Sequence, residues 1–305
     1  MTTDGDAALA PVPQGPPRRL VYLGTPAAAV APLRALVASG FEVALVVTRA
    51  DKRRGRGAEL SPSPVKAAAL ELGLGVSHRI DDALDAAGAV DLGVVVAFGQ
   101  LIKRPVLERL AFVNLHFSLL PRWRGAAPVE RALLAGDPTT GVCLMRLEVG
   151  LDTGPVYARV ERPVAPDATL ASLRAELVAA GSELLVRELH AGLGVAAPQE
   201  GDATYAAKID PAELAIDWTR SSAQLDRLVR LGGAWTTFRG RRLKVLSARP
   251  GPAGRGQAGS LHELTVATGD GALTLETVQP EGKGAQVAAA WRNGARPNPG
   301  EVLGA

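Results

Sequence analysis

The chain has 305 residues, of which 47% are hydrophobic, so it has enough apolar material for one large buried core or two smaller ones. A single cysteine, Cys143, excludes an internal disulfide and a zinc site built on cysteine pairs, and it is typical of a reducing, cytoplasmic compartment. The net charge of +3 is concentrated in residues 205–305, where thirteen Lys and Arg stand against nine Asp and Glu; this favours an anionic partner such as RNA, and ordinary surface variation explains it about as well.

The first two-thirds of the chain predict an α/β domain. Residues 1–18 are rich in Pro, Gly and Ala and predict a disordered leader. Near-continuous apolar strands separated by helices predict a parallel sheet covered on both faces over residues 19–192. The predicted strands are Leu20–Leu23, Glu42–Thr48, Asp91–Ala97, Phe112–Leu115 and Gly141–Leu147, and the predicted helices are Ala27–Ala38, Pro64–Leu72 and Ala168–His190.

The last third of the chain has a different sequence pattern. Residues 193–208 are rich in Gly, Ala and Pro and predict a linker. In residues 209–305, an amphipathic helix at Ser221–Leu231 is followed by short strand-like runs with Gly-rich turns between them, which predict a small β-barrel. No apolar run approaches the ~18 residues of a membrane helix, so we expect no membrane partner.

The densest cluster of polar candidates lies in the segment VNLHFSLLPRWRGAAP. Asn114 and His116 are two residues apart on a predicted strand, so their side chains share a face near its carboxyl end, where ligands of parallel sheets bind. An amide and an imidazole there suit acyl transfer, because both can donate to an oxygen that becomes negative. Taken alone, such a pair is more often a turn asparagine and a core histidine.

Two further segments carry candidate residues. Asp152 stands in EVGLDTGP between two glycines, and its carboxylate could orient His116, although D-x-G is also a common turn. A loop with Lys52, Arg53, Arg54 and Arg56 suits a phosphate backbone, although a solvated surface loop is the more ordinary explanation. The four histidines lack metal-ligand spacing, so we expect no metal.

These three segments, in this order, resemble the formyltransferase family that uses 10-formyltetrahydrofolate, and within it the methionyl-tRNA formyltransferases. The resemblance runs from about Leu20 to the end of the chain. It rests on N-x-H-x-S-L-L-P-x-x-R-G-A-A-P followed by V-G-L-D-T-G. It implies a Rossmann-like N-terminal domain with the folate and catalytic sites, and a C-terminal barrel of the oligonucleotide-binding type.

The resemblance also implies roles for individual residues. Asn114, His116 and Asp152 are expected to be catalytic. Folate is expected along Ser118, Leu119, Leu120 and Pro121 and against the backbone of Val95, Val96, Ala97, Phe98 and Gly99. The substrate pocket is expected at Gly24, Thr25 and Pro26, and the tRNA contacts at Lys52, Arg53, Arg54, Arg56, Lys66, Arg239, Arg241, Arg242 and Lys244.

The implied reaction moves a formyl group from 10-formyltetrahydrofolate to the amine of initiator methionyl-tRNA, and we expect a monomer. The chain departs from the family pattern at Ala27 and Ala28, where an acidic residue and an aromatic that lines the methionyl pocket are usual. Three alternatives remain at this point: formyl transfer to an amino-sugar nucleotide or ribonucleotide amine, hydrolysis of formyl-folate, and RNA binding without catalysis.

Overall fold

The structure is a computed structural model that describes residues 8–54, 59–85, 87–251 and 254–304. The chain divides into two compact units. The first comprises Met1–Val129, Thr139–Pro163 and Arg174–Ala207, and the second comprises Glu130–Pro138, Val164–Leu173 and Lys208–Ala305.

The first unit is built on a seven-stranded sheet, counted over the described residues, in the order β10-β9-β7-β6-β1-β2-β5. A short hairpin (β3, β4) and a two-stranded ribbon (β8, β11) lie outside that sheet. The strands are β1 Arg19–Gly24, β2 Glu42–Val47, β3 Lys52–Arg54, β4 Glu59–Ser61, β5 Val76–Ser77, β6 Leu92–Val96, β7 Phe112–His116, β8 Arg124–Gly125, β9 Thr139–Arg146, β10 Val156–Pro163 and β11 Tyr205–Ala206.

Helices connect several of the strands. They are α1 Val30–Ala38, α2 Pro64–Glu71, α3 Asp82–Asp85, α4 Arg104–Leu107, α5 Pro128–Ala135, α6 Leu170–Ala191, α7 Ser222–Leu231 and α8 Ala288–Ala295, with 3-10 turns at Ala27–Ala29, Ala87–Ala89 and Pro211–Leu214. Ser63 begins α2 by accepting a hydrogen bond from the backbone N–H of Lys66 at 3.0 Å, and Pro64 takes the first helical position.

The burial of the central strands explains why their sequences are almost continuously apolar. Every residue of β6 and β7 is buried, since both faces of the sheet are covered, and this confirms the predicted α/β fold. The strands β1, β2, β5, β6 and β7 run parallel. The sheet is nevertheless mixed, because β9 runs antiparallel to β7 and β10 returns antiparallel to β9 through the loop of residues 147–155. That hairpin connection places Asp152 beside the sheet.

The N-terminal segment contacts the sheet domain. Leu9 packs against a core cluster that contains Leu107, and the backbone N–H of Ala10 donates to the carbonyl of Leu107 at 2.8 Å. The guanidinium of Arg146 donates to the carbonyl of Ala10 at 3.1 Å. Residues 1–7 of the predicted leader lie outside the described residues.

The second unit contains the predicted small barrel. Its strands are β12 Trp235–Phe238, β13 Arg241–Gly251, β14 Ser260–His262, β15 Thr265–Ala267, β16 Ala272–Pro280, β17 Gln286–Val287 and β18 Glu301–Val302. The backbone N–H of Gly304, just after the last strand, donates to the carbonyl of Thr237 in the first one at 2.9 Å, so the sheet nearly closes. Helix α7 begins with a capping box of Ser221 and Gln224 and buries its predicted apolar face.

Within the described residues, no cluster of three or more His, Cys, Asp and Glu side chains is arranged to hold a metal ion. The helices of that same part of the chain include none with both the length and the apolar character needed to cross a membrane.

Candidate active site

Asn114 and His116 lie on one face of β7, with 9% and 5% of their surfaces exposed. Strand β6 runs beside them, with Val95 opposite Asn114. On the other side, β9 places Cys143 opposite His116. Burial raises the pKa of the Cys143 thiol to about 11, so this cysteine is a neutral core residue and not a nucleophile.

Asp152 reaches these two side chains from the loop between β9 and β10. Its Oδ1 lies 3.4 Å from Asn114 Nδ2, and its Oδ2 lies 3.6 Å from His116 Nδ1. The loop is tight, because a Cβ on Gly154 would lie 2.0 Å from the carbonyl oxygen of Arg146. The close approach therefore explains a glycine after Asp152, and the structure brings together the three residues predicted to be catalytic.

Both ring nitrogens of His116 face acceptors. Nε2 lies 2.9 Å from the carbonyl oxygen of Trp123, which requires a proton on Nε2. Nδ1 faces the Asp152 carboxylate at 3.6 Å. The carboxylate therefore lies close enough to orient the ring.

The three side chains open into a cavity of about 560 Å³. Its walls come from the end of β6, from β7, from the segment after β8 and from the loop that carries Asp152. Of the residues predicted to bind folate, Val95, Ala97, Phe98 and Gly99 line this cavity, whereas Val96 is fully buried behind it. The backbone conformation of Ala97 and Gly99 is left-handed, so the chain turns sharply at the cavity wall.

The Ser118–Pro121 run follows Phe117 of the cavity wall but is not itself part of the lining. Ser118 is fully buried and donates a hydrogen bond to the carbonyl of Arg122 at 2.6 Å, and Leu120 packs on Cys143 and Met145. In this structure the run therefore shapes the chain between β7 and β8, and its predicted folate contact stays a prediction.

The comparisons with known proteins decide the family. Residues 18–189 match the model of the formyl transferase family, and residues 208–296 match that of the formyl transferase C-terminal domain. A curated methionyl-tRNA formyltransferase from Ruegeria pomeroyi is 44% identical over 285 residues, which are 88% of this chain and 94% of that protein. The one from Jannaschia sp. is 44% identical over 302 residues, which are 93% and 99%. The chain belongs to the formyl transferase family.

Solved structures confirm the formyl transferase fold. HypX from Aquifex aeolicus, in complex with tetrahydrofolic acid, matches with a TM-score of 0.64 at 18% identity over 91% of this chain, which spans 47% of HypX. An N-formyltransferase from Helicobacter canadensis, in complex with folinic acid and dTDP-3-aminofucose, matches with a TM-score of 0.66 at 16% identity over 85% of this chain and 99% of that one.

The predicted substrate pocket of this formyl transferase is only partly on the cavity wall. Pro26 lines the cavity, whereas Gly24 is buried and Thr25 donates its hydroxyl to the carbonyl of Phe98 at 3.1 Å. Thr25 thus ties the turn after β1 to the turn after β6. Ala27 and Ala28, the departures from the family pattern, begin the 3-10 turn that follows.

The predicted tRNA-binding cations fall into two sets. In the first unit, Lys52 of β3 is exposed and Lys66 of α2 pairs with Asp51 at 2.8 Å; Arg56 and the side chains of Arg53 and Arg54 lie outside the described residues. On the barrel, Arg239 pairs with Glu301, Arg241 lies 4.0 Å from Glu281, Arg242 stacks on Trp235, and Lys244 is exposed. Several of these cations therefore already have a partner within the chain.

Two backbone contacts at the formyl transferase site escaped sequence analysis. The N–H of Gly125 donates to Asp152 Oδ2 at 2.8 Å, and the carbonyl of Trp123 accepts from His116. Side-chain patterns do not reveal backbone donors or acceptors. The available signal was the glycine itself, because Gly125 has a φ of 117°, where other residues are strained.

Proposed function

We propose that this chain transfers the formyl group of 10-formyltetrahydrofolate to the α-amine of methionyl-initiator tRNA. The observation that carries the proposal is the convergence of Asn114 Nδ2 and His116 Nδ1 on the Asp152 carboxylate at the wall of a cavity. Membership of the formyl transferase family supports the reaction, and the relatives named as methionyl-tRNA formyltransferases support the acceptor.

The cavity fits a folate donor in size and character. Its volume of about 560 Å³ falls in the range of small-molecule sites. Phe98 and Ile102 supply apolar surface, and the turn at Ala97 and Gly99 exposes backbone that can hydrogen-bond to a pterin. We therefore place the donor against the end of β6, with its formyl group towards Asn114.

The two donors act on the formyl oxygen. As the amine attacks the formyl carbon, this oxygen gains negative charge, which Asn114 Nδ2 and the protonated Nδ1 of His116 stabilise. Both atoms lie beyond ordinary hydrogen-bond lengths from Asp152, at 3.4 and 3.6 Å, so neither is firmly committed to it. The donors can therefore move to the substrate oxygen without breaking a strong bond.

Asp152 has two roles, one through its charge and one as a proton acceptor. Its charge holds His116 as an imidazolium, and through a water molecule it takes the proton that the attacking amine loses. The new bond joins the amine nitrogen to the formyl carbon, the bond from that carbon to N10 of folate breaks, and N10 gains a proton. One proton leaves the amine and one reaches the folate, so the step is balanced.

The RNA partner contributes through charge. The cations Lys52, Arg53, Arg54 and Arg56 suit an acceptor stem, and each phosphate contact adds affinity that salt weakens. We propose the same role for the exposed cations of the barrel. We further propose that the chain works as a monomer, because its substrate is large, and that it does so in the cytoplasm, where translation takes place.

One assay tests the reaction. The protein is incubated with 10-formyltetrahydrofolate and charged initiator tRNA, and the aminoacyl group is then released and analysed. N-Formylmethionine is the expected product, and it should depend on both substrates. Free formate without formylated tRNA would identify a hydrolase, and formylation of an amino-sugar nucleotide in place of the tRNA would identify a different acceptor; either result overturns the proposal.

A further inference from the structure

The segment predicted to be a linker places a side chain against the active-site loop. Gln199 donates both hydrogens of its amide nitrogen, to the carbonyl oxygens of Asp152 and Gly154, each at 2.8 Å. Its amide oxygen accepts from Arg124 Nη2 at 2.7 Å and Nε at 3.1 Å. Only this orientation of the amide pairs donors with acceptors. The position therefore requires a side chain that donates to two carbonyl groups and also accepts from a guanidinium.

These contacts close a ring around the Asp152 carboxylate. Arg124 is followed directly by Gly125, whose N–H donates to Asp152 Oδ2 at 2.8 Å. The backbone of Asp152 is thus tied through Gln199 to Arg124, and its side chain is tied to the residue next to Arg124. The ring fixes both ends of the aspartate relative to β8.

The backbone of the loop is strained at Asp152. Asp152 has a φ of 48°, a left-handed conformation that costs a non-glycine residue free energy unless its surroundings enforce it. Leu147 packs on the core at the start of the loop, but the apolar residues nearest to Asp152 give little anchoring, because Val149 and Leu151 are more than half exposed. The amide of Gln199 therefore holds the strained turn by hydrogen bonds to two of its carbonyl groups, those of Asp152 and Gly154.

We propose that Gln199 is a positioning residue for the reaction: it holds the Asp152 loop so that the carboxylate faces Asn114 and His116. This proposal rests on the proposed formyl transfer. Displacement of a catalytic group by about 1 Å can cost about 10²-fold in rate. Loss of the Gln199 contacts should therefore lower kcat by about 10- to 100-fold and leave the KM for the folate donor within about two-fold, because no atom of Gln199 lines the cavity.

The experiment compares two variants in two backgrounds. Gln199→Ala removes all four contacts, whereas Gln199→Glu keeps an acceptor for Arg124 but cannot donate to the two carbonyls. Each is measured in the unmutated protein and in the Asp152→Asn protein, with Glu200→Ala, an exposed neighbour, as the control. Circular dichroism and thermal melting confirm that each variant is folded before kcat and KM are determined.

A residue that acts through Asp152 must show non-additive effects. Both Gln199 variants should lose kcat in the unmutated background and at most about two-fold more in the Asp152→Asn background, and the control should match its parent. Equal losses in both backgrounds, or a Gln199→Glu protein with unmutated kcat, overturn the positioning role. If the unmutated protein transfers no formyl group, the proposed function fails and this proposal fails with it.

Discussion

Replacement of Asp152 by Asn tests the active-site argument most directly, because it removes one charge and almost no volume. The carboxylate faces three donors: the Gly125 N–H at 2.8 Å, Asn114 Nδ2 at 3.4 Å and His116 Nδ1 at 3.6 Å. An amide has one acceptor oxygen in place of two. In either orientation, at least one of the donors then faces an NH₂ group instead of an oxygen.

The size of the effect follows from burial and distance. The side chains of His116 and Asp152 are 6% and 12% exposed, so water screens their interaction poorly. Opposite charges about 4 Å apart interact by about 4 kcal/mol at an effective dielectric constant near 20. Each 1.36 kcal/mol is worth ten-fold in rate. Because the amide dipole replaces part of this interaction, we expect kcat to fall by about 10²–10³-fold.

The assay is formylation of charged initiator tRNA under saturating 10-formyltetrahydrofolate, with Asp202→Asn as the matched control on an exposed carboxylate. The Asp152→Asn protein should keep its affinity for tRNA, measured by filter binding, because no tRNA contact is proposed at this residue. A kcat within about three-fold of the unmutated value, in a folded protein, would refute the role of the charge.

Three further predictions follow from the same structure. Asn114→Ala and His116→Ala should each lower kcat by about 10²–10³-fold with little change in tRNA affinity, and wild-type-like turnover in either variant would contradict the oxyanion role. Arg56→Ala should raise the KM for charged tRNA. It should also reduce by about one the slope of the logarithm of the tRNA association constant against the logarithm of the salt concentration, and an unchanged slope would exclude a phosphate contact. A side-chain hydrogen bond from Arg131 lowers the pKa of Glu213 to about 2, so this pair stabilises the fold fully above the ordinary value of 4.5, and the stabilisation is lost as the pH falls towards 2. Glu213→Gln should therefore lower the free energy of unfolding at pH 7 by up to about 1 kcal/mol. In urea melts, the difference in unfolding free energy between the unmutated protein and the variant should become smaller below pH 4.5.

Much of the fold follows from the sequence because burial leaves a repeating pattern. The strand β6 lies within the predicted Asp91–Ala97 run, and α7 covers all but the first residue of Ser221–Leu231. Strand direction was not predictable in this way. The run Gly141–Leu147 is equally apolar in either direction, and only its pairing with β7 shows that β9 is antiparallel.

Within the site, side-chain identity was predictable and backbone geometry was not. The i, i+2 spacing of Asn114 and His116 places them on one strand face, and the structure has them there. The partner of His116 is a carbonyl oxygen, that of Trp123, which a sequence pattern does not distinguish from any other carbonyl.

The segment 193–208 shows why composition alone misleads near a site. Its Gly, Ala and Pro content predicts a spacer, since such residues rarely build a core. Yet Ala197 exchanges two hydrogen bonds with Val156 at the start of β10, and the hydroxyl of Thr204 accepts from the N–H of Trp123 at 2.9 Å. With Gln199 against Asp152, the segment holds both the acceptor of His116 and the loop of the carboxylate. These contacts need an extended backbone and a few small polar side chains, which is the composition that a flexible linker also has.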